Sequence, residues 1–476
     1  MMSKNTKARY DAIIIGAGIS GLVCGCYLAR AGMKVLLIEQ HDKPGGYCTS
    51  FKRKGFQFDA AAHSFGSYRE GGNFRRILAE LGITRTLNVK RFNPSDIVIS
   101  PDHQITFWND TEKTKTDLIS NFPKEADGIK NFFDYFNFSA SSNQIEVVRL
   151  KNKTFDSFLK SFFTDEKLIN VISFPIFGNG GLPPSLMHAF TGTRIFGEFL
   201  IDGGYYPEGG MQRLPDALAD FISTNTGKII YKKLVTGILH KNRSAIGVKL
   251  ADNEIFNSKY VISACDAIQT FKTLIGEKIV GKRLLKKLAT MIPSTSTFIL
   301  YLGIDKPFKG LPASGTNIWY LPYYDLGKMH MYTNLCDFSK AGGYMLRVSH
   351  DKKTILAFFH APFKTRAFWR TNKKRLAQDF VSRIAQLIPN LKKHIVYLDA
   401  ATPQTLHRYT LNYKGSDYGW APLLTQLFDP DLSLNNLLRG FYLTGHWTAQ
   451  THGIPGVAYL GYNTAKLILK REQIAI

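Results

Sequence analysis

The sequence predicts an α/β protein built on a Rossmann-like dinucleotide-binding unit, and three adjoining features predict it. An apolar run, Ala12 to Ile15, leads straight into Gly16-Ala17-Gly18-Ile19-Ser20-Gly21. A helix-like segment continues from there to Arg30, and a second strand, Lys34 to Ile38, ends in Glu39, 18 residues past Gly21. Strand, glycine turn, helix and strand make a βαβ unit.

Each part has a physical reason. The three glycines let the chain turn tightly, bring backbone N–H groups up to a pyrophosphate and let the helix pack near the strand, while the helix N-terminus adds partial positive charge. Glu39 is placed to accept hydrogen bonds from two ribose hydroxyls and would repel a 2′-phosphate. The unit therefore calls for an ADP-containing cofactor with unphosphorylated adenosine, met by Gly16, Gly18, Ile19, Ser20, Gly21, Glu39 and Gln40. A βαβ unit without a ligand is the plainer alternative.

Six residues past Glu39 stand Gly45-Gly46, then Tyr47-Cys48-Thr49-Ser50-Phe51 and Gly55-Phe56-Gln57-Phe58-Asp59, for which a simple NAD domain has no need. Later come Tyr205-Tyr206-Pro207-Glu208-Gly209-Gly210-Met211, Thr402-Pro403-Gln404-Thr405 with Arg408-Tyr409-Thr410, and Tyr418-Gly419-Trp420. Near the end stand Leu443-Thr444-Gly445-His446-Trp447, Gly453-Ile454-Pro455-Gly456-Val457 and Gly461. On these motifs, spread over the whole chain, the sequence resembles the FAD-dependent amine oxidase superfamily, and within it phytoene desaturases, carotenoid isomerases and retinol saturases. It departs from that pattern at Ala61, where the family has glycine, and at His446, where other flavoprotein branches place an acidic residue after Gly445.

The resemblance implies FAD as cofactor. It adds Gly45, Gly46, Tyr47 and Thr49 beside the cofactor, Val235 at the adenine end through its backbone, and Gly445, His446, Pro455, Gly456 and Val457 around the flavin. It also implies an oxidoreductase exchanging hydride with flavin N5 at carbon–carbon bonds of a hydrophobic isoprenoid such as a carotenoid or retinoid, by desaturation, saturation or isomerisation. A flavin amine oxidase and a non-catalytic lipid-binding escort, similar to the Rab dissociation inhibitors, are the alternatives on the same fold. His446 is the first candidate for a catalytic residue, since imidazole shuttles protons near neutral pH. Trp447 and His452 lie in the same C-terminal signature, His63 follows the aspartate Asp59 of the N-terminal extension, and for each histidine a structural hydrogen-bonding role is the plainer reading.

The family implies interleaved domains. Residues 1–90, 205–285 and 405–476 are expected to form the FAD-binding domain, and 91–204 with 286–404 a mixed-sheet and helical substrate-binding cap. Within the first, Ile229 to Tyr231, Val235 to Leu239, Ala245 to Leu250 and Tyr260 to Ala264 read as short strands separated at Gly237, Asn242 and Asp252. Within the second, Thr297 to Gly303, Asn317 to Leu321, Tyr344 to Val348 and Thr354 to Phe359 read as strands of one mixed sheet. Lys373 to Ile388 reads as a helix with Leu376, Phe380, Ile384 and Leu387 on one face.

Phe132, Phe133, Tyr135, Phe136, Phe138, Phe155, Phe158, Phe162 and Phe163 crowd the first cap segment, as core or as the lining of an apolar ligand tunnel. At 476 residues, 44% hydrophobic, the chain has ample material for real cores. Its five cysteines, Cys24, Cys26, Cys48, Cys265 and Cys336, form no disulfide framework and no zinc pattern, so no metal is expected and a reducing cytoplasmic setting fits.

The net charge of +24 is spread along the chain without a nucleic-acid motif. No run of about 18 apolar residues suggests a membrane span, and Lys4, Lys7 and Arg9 before the first strand only imitate a secretory signal. Any membrane contact is expected to be peripheral, at the inner face. From Glu277 to Ile292, Leu284, Leu285, Leu288, Met291 and Ile292 face away from Lys282, Arg283, Lys286 and Lys287. Such a helix either lies on anionic lipid or packs on its own domain.

Overall fold

The computed structural model describes residues 9–139, 148–428, 437–448 and 451–475. Lys4, Lys7 and the side chain of Phe138 lie outside the described residues. Two seven-stranded sheets dominate what is described.

The first sheet grows from the βαβ unit. Tyr10–Ile15 forms β1, Ile19–Arg30 forms α1 and Val35–Ile38 forms β2. β1 lies parallel to β2, with Ile14 opposite Leu37, and parallel on its other side to Ile255–Ser263, with Ile14 opposite Ile262. Gly227–Ile230 extends the sheet beyond β2, and Phe441–Leu443 pairs in parallel with Ile255–Ser263. These strands read as unbroken apolar runs because both faces are covered. Ile14, Val35 and Leu37 pack with α1 on one face, while Ile13, Ile15, Leu36 and Ile38 pack with Phe271 and Phe441 on the other.

Val235–Lys241, Ser244–Leu250 and Ile255–Ser263 form an antiparallel meander whose last strand turns parallel beside β1. Gly237 lies within the first of these strands, at a register irregularity, and not at the turn expected there. A glycine inside a strand accommodates such a bulge as readily as a turn.

The second sheet runs Ile395–Ala401, Ser296–Ile304, Thr354–Ala361, Tyr344–Val348, Asn317–Tyr320, Asp96–Ile99 and Gln104–Phe107. It is mixed, since Asn317–Tyr320 pairs in parallel with Asp96–Ile99 and the other neighbours are antiparallel. The helix expected from Lys373 begins earlier and spans Arg366–Leu387; Leu376, Phe380 and Ile384 are buried against this sheet.

Two open questions of the sequence are answered here. Phe132, Phe133, Phe155, Phe158 and Phe163 are fully buried in one apolar cluster, so the aromatic segment is core. The basic amphipathic segment is not one helix: Gly281, at φ +81°, separates Glu277–Val280 from Lys282–Thr290. Leu284, Leu288 and Met291 are buried against their own domain, while Lys282 and Lys286 face solvent. Of the other two apolar residues on that face, Leu285 is half-buried and Ile292 is 53% exposed.

Candidate active site

A large cleft with about 1790 Å³ not filled by protein atoms, partly continuous with solvent, opens at the C-terminal ends of β1 and β2. Open parallel sheets bind ligands at this edge. Many separated parts of the chain converge on it.

The glycine turn forms the floor. Gly16 has φ +98°, the left-handed region that favours glycine, and a Cβ there would stand 3.2 Å from Cys265 Sγ. Gly21 permits close packing, since its Cβ would fall 2.2 Å from the Gly16 carbonyl oxygen. Around Gly18, by contrast, an added Cβ meets no protein atom within 4 Å. That empty space faces the cleft, next to the N-terminus of α1. Gly45 bridges to Gly18, and its N–H donates to the Ala17 carbonyl at 2.8 Å.

Glu39 stands at the end of β2, its carboxylate held by the backbone N–H groups of Ala17 (2.7 Å) and His41 (2.8 Å). The C-terminal signature reaches the same place through a buried contact, Ser20 Oγ to Thr444 Oγ1 at 2.7 Å. Gly461 brings the final helix, Gly453–Arg471, against α1, since its Cβ would lie 2.3 Å from the Ser20 carbonyl oxygen. That helix begins two residues before Pro455, so Gly453 and Ile454 present its first N–H groups at the cleft, and Pro455 has none to give. Two helix N-termini, neither with an acidic residue in its first turn, therefore point positive ends at one cavity.

Of the residues expected from sequence, Gly16, Gly18, Ile19, Ser20, Glu39, Gln40, Gly45, Gly46, Tyr47, Val235, Gly445, His446 and Val457 line the cleft. Gly21, Thr49, Pro455 and Gly456 lie behind that lining. Thr49 Oγ1 donates to the Gly46 carbonyl at 3.0 Å, and a Cβ on Gly456 would strike Thr451 Oγ1 at 2.5 Å. Ala61 and His63, where the chain departs from or extends the family pattern, also line the space.

Part of the cleft lining is apolar. Ile195, Phe199, Ile299 and Phe358 wall it, with Asn179, Thr297 and Tyr418 as polar neighbours. Its histidines are neutral at physiological pH. Burial holds His446 down to about 3, with its interaction with His452 lowering it further, and burial alone holds His452 at about 4. His63 sits at about 3, lowered by burial and then by the Arg347 guanidinium. The proton shuttle expected of His446 therefore lacks a protonated imidazole near pH 7, and these rings act as neutral hydrogen-bonding groups.

Thr410 to Asn412, Asp417 and Tyr418 also line the cleft, and of its polar members the sequence singled out Thr410 and Tyr418 but not Asn412 or Asp417. Tyr47 Oη donates to the Ser416 carbonyl (2.8 Å), and Tyr418 Oη to that of Gly178 (3.1 Å). Trp447, 1% exposed, donates from Nε1 to Asn412 Oδ1 (2.9 Å), and Trp420 Nε1 donates to the Trp447 carbonyl (3.0 Å). Asp417 lies in this loop, lines the cleft, and has both carboxyl oxygens closed to solvent without a hydrogen-bond partner among the described residues. A carboxylate directly before the Tyr418-Gly419-Trp420 motif was the one available signal.

The site fits FAD on its own terms. It has an open cradle at a glycine turn, an acidic residue at the second strand end, two helix N-termini and a buried unpaired His452 Nε2 waiting for a polar partner. Among the described residues no cluster of metal ligands and no helix long and apolar enough to cross a membrane occurs.

Comparison with known proteins agrees. A family model described as flavin containing amine oxidoreductase matches residues 19–469. The chain is 24% identical to prolycopene isomerase 2 of an Oncidium hybrid cultivar, over 95% of this chain and 82% of that protein. It is 23% identical to all-trans-retinol 13,14-reductase of Danio rerio (91% and 82% covered). It is 25% identical to the lycopene-forming phytoene desaturase of Pseudescherichia vulneris (97% and 99% covered). In fold it is similar to an oxidoreductase from Methanosarcina mazei (TM-score 0.69, 19% identity, 96% and 100% covered). It is likewise similar to putrescine oxidase bound to putrescine (TM-score 0.65, 16% identity, 98% and 100% covered). The chain belongs to the flavin containing amine oxidoreductase family and is an FAD-dependent oxidoreductase.

Proposed function

We propose that this enzyme acts on carbon–carbon bonds of a hydrophobic isoprenoid of carotenoid or retinoid type, by desaturation, saturation or isomerisation. The observation that carries the reading is the apolar part of the cleft lining, Ile195, Phe199, Ile299 and Phe358, beside histidines whose protonation burial disfavours. The names of the three relatives, which concern prolycopene, retinol and phytoene, support the substrate class.

FAD, when bound, supplies a hydride acceptor or donor at N5. The glycine turn and the N-terminus of α1 would hold its pyrophosphate, Glu39 its ribose and the Val235 backbone its adenine end. Gly445, His446 and the start of the final helix would hold the ring system, where helix N–H groups stabilise negative charge on the reduced ring. The apolar walls exclude water and hold the substrate's bond in place. His446 is the proposed catalytic residue, donating or accepting a hydrogen bond as neutral imidazole.

We assign the nucleotide end to segments 1–90, 205–285 and 405–476 and the apolar end to 91–204 and 286–404, except that Leu288 and Met291 pack against the first sheet. The proposed setting is the cytoplasm, with substrate drawn from the inner membrane face, because such molecules partition into lipid. The amine oxidase alternative requires a lysine near the flavin. Among the described lining residues the lysine present is Lys233, at the Glu39 end, where it pairs with Asp252 and Glu254.

The test is anaerobic mixing of the FAD-loaded protein, oxidised or reduced beforehand, with phytoene, retinol and prolycopene, with products separated by chromatography. A changed number or geometry of double bonds in one of them is expected. Bleaching of the flavin band by putrescine or another amine, with every polyene unchanged, would overturn the reading.

A further inference from the structure

Asn179 lines the cleft, half-buried, and the foregoing account does not use it. It stands in the last turn of the helix Glu166–Gly180, which ends at Gly181 with φ +75°. Small residues let this turn press on its surroundings. A Cβ on Gly180 would lie 3.1 Å from Cδ1 of Ile195, one of the apolar walls, and a Cβ on Gly178 would fall 2.1 Å from the Trp319 ring. Tyr418, another lining residue, closes on the same turn by donating from Oη to the Gly178 carbonyl.

One bond fixes which way the Asn179 amide faces. Its Nδ2 donates to the Pro175 carbonyl at 2.9 Å, and the reverse orientation would set two acceptor oxygens against each other. Oδ1 is therefore the atom left over. It takes no hydrogen bond from the described residues and, unlike the carboxyl oxygens of Asp417, is not sealed from open space. An amide oxygen only accepts. Its setting is rich in acceptors as well, since a helix C-terminus carries partial negative charge. The neutral rings of His63 and His446 each offer one donor and one acceptor, and so discriminate little between ligand oxygens. Asn179 Oδ1 does discriminate, because an O–H satisfies it while a hydrocarbon or an ether covers it unpaired. A site built in this way rejects the analogue that lacks the matching group.

We propose that Asn179 is a specificity-determining residue whose Oδ1 accepts a hydrogen bond from a hydroxyl group, so that the substrate is an isoprenoid alcohol. This rests on the isoprenoid reading and chooses within it. The flavin's own ring N–H is the competing donor, and the test separates the two.

The FAD-loaded protein is titrated with all-trans-retinol, with its methyl ether, which keeps the oxygen but has no proton to donate, and with the hydrocarbon of the same skeleton. Phytoene and prolycopene are titrated alongside, and binding is read from quenching of tryptophan fluorescence. The wild type should bind retinol about 10- to 100-fold more tightly than either analogue. In Asn179→Leu, which is close in size and has no acceptor, that preference should vanish with FAD retained, the flavin spectrum confirming that the variant is folded and loaded. The wild-type series alone decides the inference if the variant does not fold. Methyl ether bound as tightly as retinol, equal affinities for all three, or a preference that survives in Asn179→Leu would overturn it. So would loss of FAD from folded Asn179→Leu, which would make the flavin the partner of Oδ1. Binding of phytoene or prolycopene without binding of retinol would overturn it too, leaving the isoprenoid reading intact. If the loaded wild type binds no polyene at all, the isoprenoid reading itself fails and this inference with it.

Discussion

Alanine at Gly18 and at Gly21 should separate ligand space from backbone packing at one turn. At Gly21 the new Cβ falls 2.2 Å from the Gly16 carbonyl oxygen and 3.1 Å from the Ala264 Cβ. Neither neighbour is a flexible side-chain end, so helix and turn must part by roughly 1 Å, at an overpacking cost of about 1–3 kcal/mol. At Gly18 the backbone is extended (φ −68°, ψ 167°), which alanine adopts freely, and the Cβ enters empty space. The lost helix-cap preference there costs about 0.5 kcal/mol, and reduced freedom of the unfolded chain returns about as much. The apoprotein of Gly18→Ala should therefore melt with the wild type, while Gly21→Ala melts lower.

FAD binding should respond differently. The methyl group of Gly18→Ala occupies the position a pyrophosphate needs, and losing one charge-assisted hydrogen bond at about 1.5–3 kcal/mol weakens FAD binding about 10- to 100-fold. Thermal melts of the apoproteins and fluorescence titration with FAD measure both quantities. Gly18→Ala that binds FAD as tightly as the wild type would refute the placement of the pyrophosphate at this turn.

Three further outcomes are expected. Asp266 accepts hydrogen bonds from the Gln269 and Tyr413 N–H groups, and burial raises its carboxyl to about 6. A folded-state value raised above the unfolded one means stability present below about pH 4 and lost as pH rises through 6. At pH 8 the loss reaches about 3 kcal/mol. The stability of wild type relative to Asp266→Asn should accordingly fall between pH 4 and 6.5, and a flat difference would sink the argument. With His446 at about 3 and His452 at about 4, neither should produce a titration in turnover between pH 5.5 and 8. An inflection near 6.5 that vanishes in His446→Ala would contradict this. Phe132, fully buried among Phe136, Phe158, Phe162, Phe163 and Phe196, should cost about 3–5 kcal/mol as alanine. The folded fraction should bind FAD normally, because Phe132 is not part of the cleft lining.

The nucleotide end of the site was legible in the sequence because its determinants are local. The apolar run of β1, the glycine spacing, the periodicity of α1 and the acidic end of β2 lie within 30 residues, and backbone sterics and hydrogen bonding dictate their arrangement. The meander strands and four strands of the mixed sheet were readable for the same reason, as runs of apolar residues between turn formers, whereas Ile395–Ala401, Asp96–Ile99 and Gln104–Phe107 were not foreseen. Where local signals were ambiguous, only contact decided. Gly237 suits a bulge as well as a turn, and the aromatic segment suits a tunnel as well as a core. The Lys282–Thr290 helix carries an apolar face whether that face meets lipid or protein.

Tertiary structure alone brought Thr444 to Ser20, over 424 positions of chain, and seated the final helix on α1 through Gly461. It also removed the charge from His446 and His452, because a side chain's pKa is set by the water it loses and not by its neighbours in sequence. Asp417 shows the limit most plainly. Its place before the Tyr418-Gly419-Trp420 motif was the one signal in the sequence, and only the fold buried both its oxygens without a hydrogen-bond partner among the described residues. Motif and periodicity determined which cofactor and which layers; long-range packing, which no local pattern encodes, decided the shape, dryness and unpaired groups of the space where a substrate would lie.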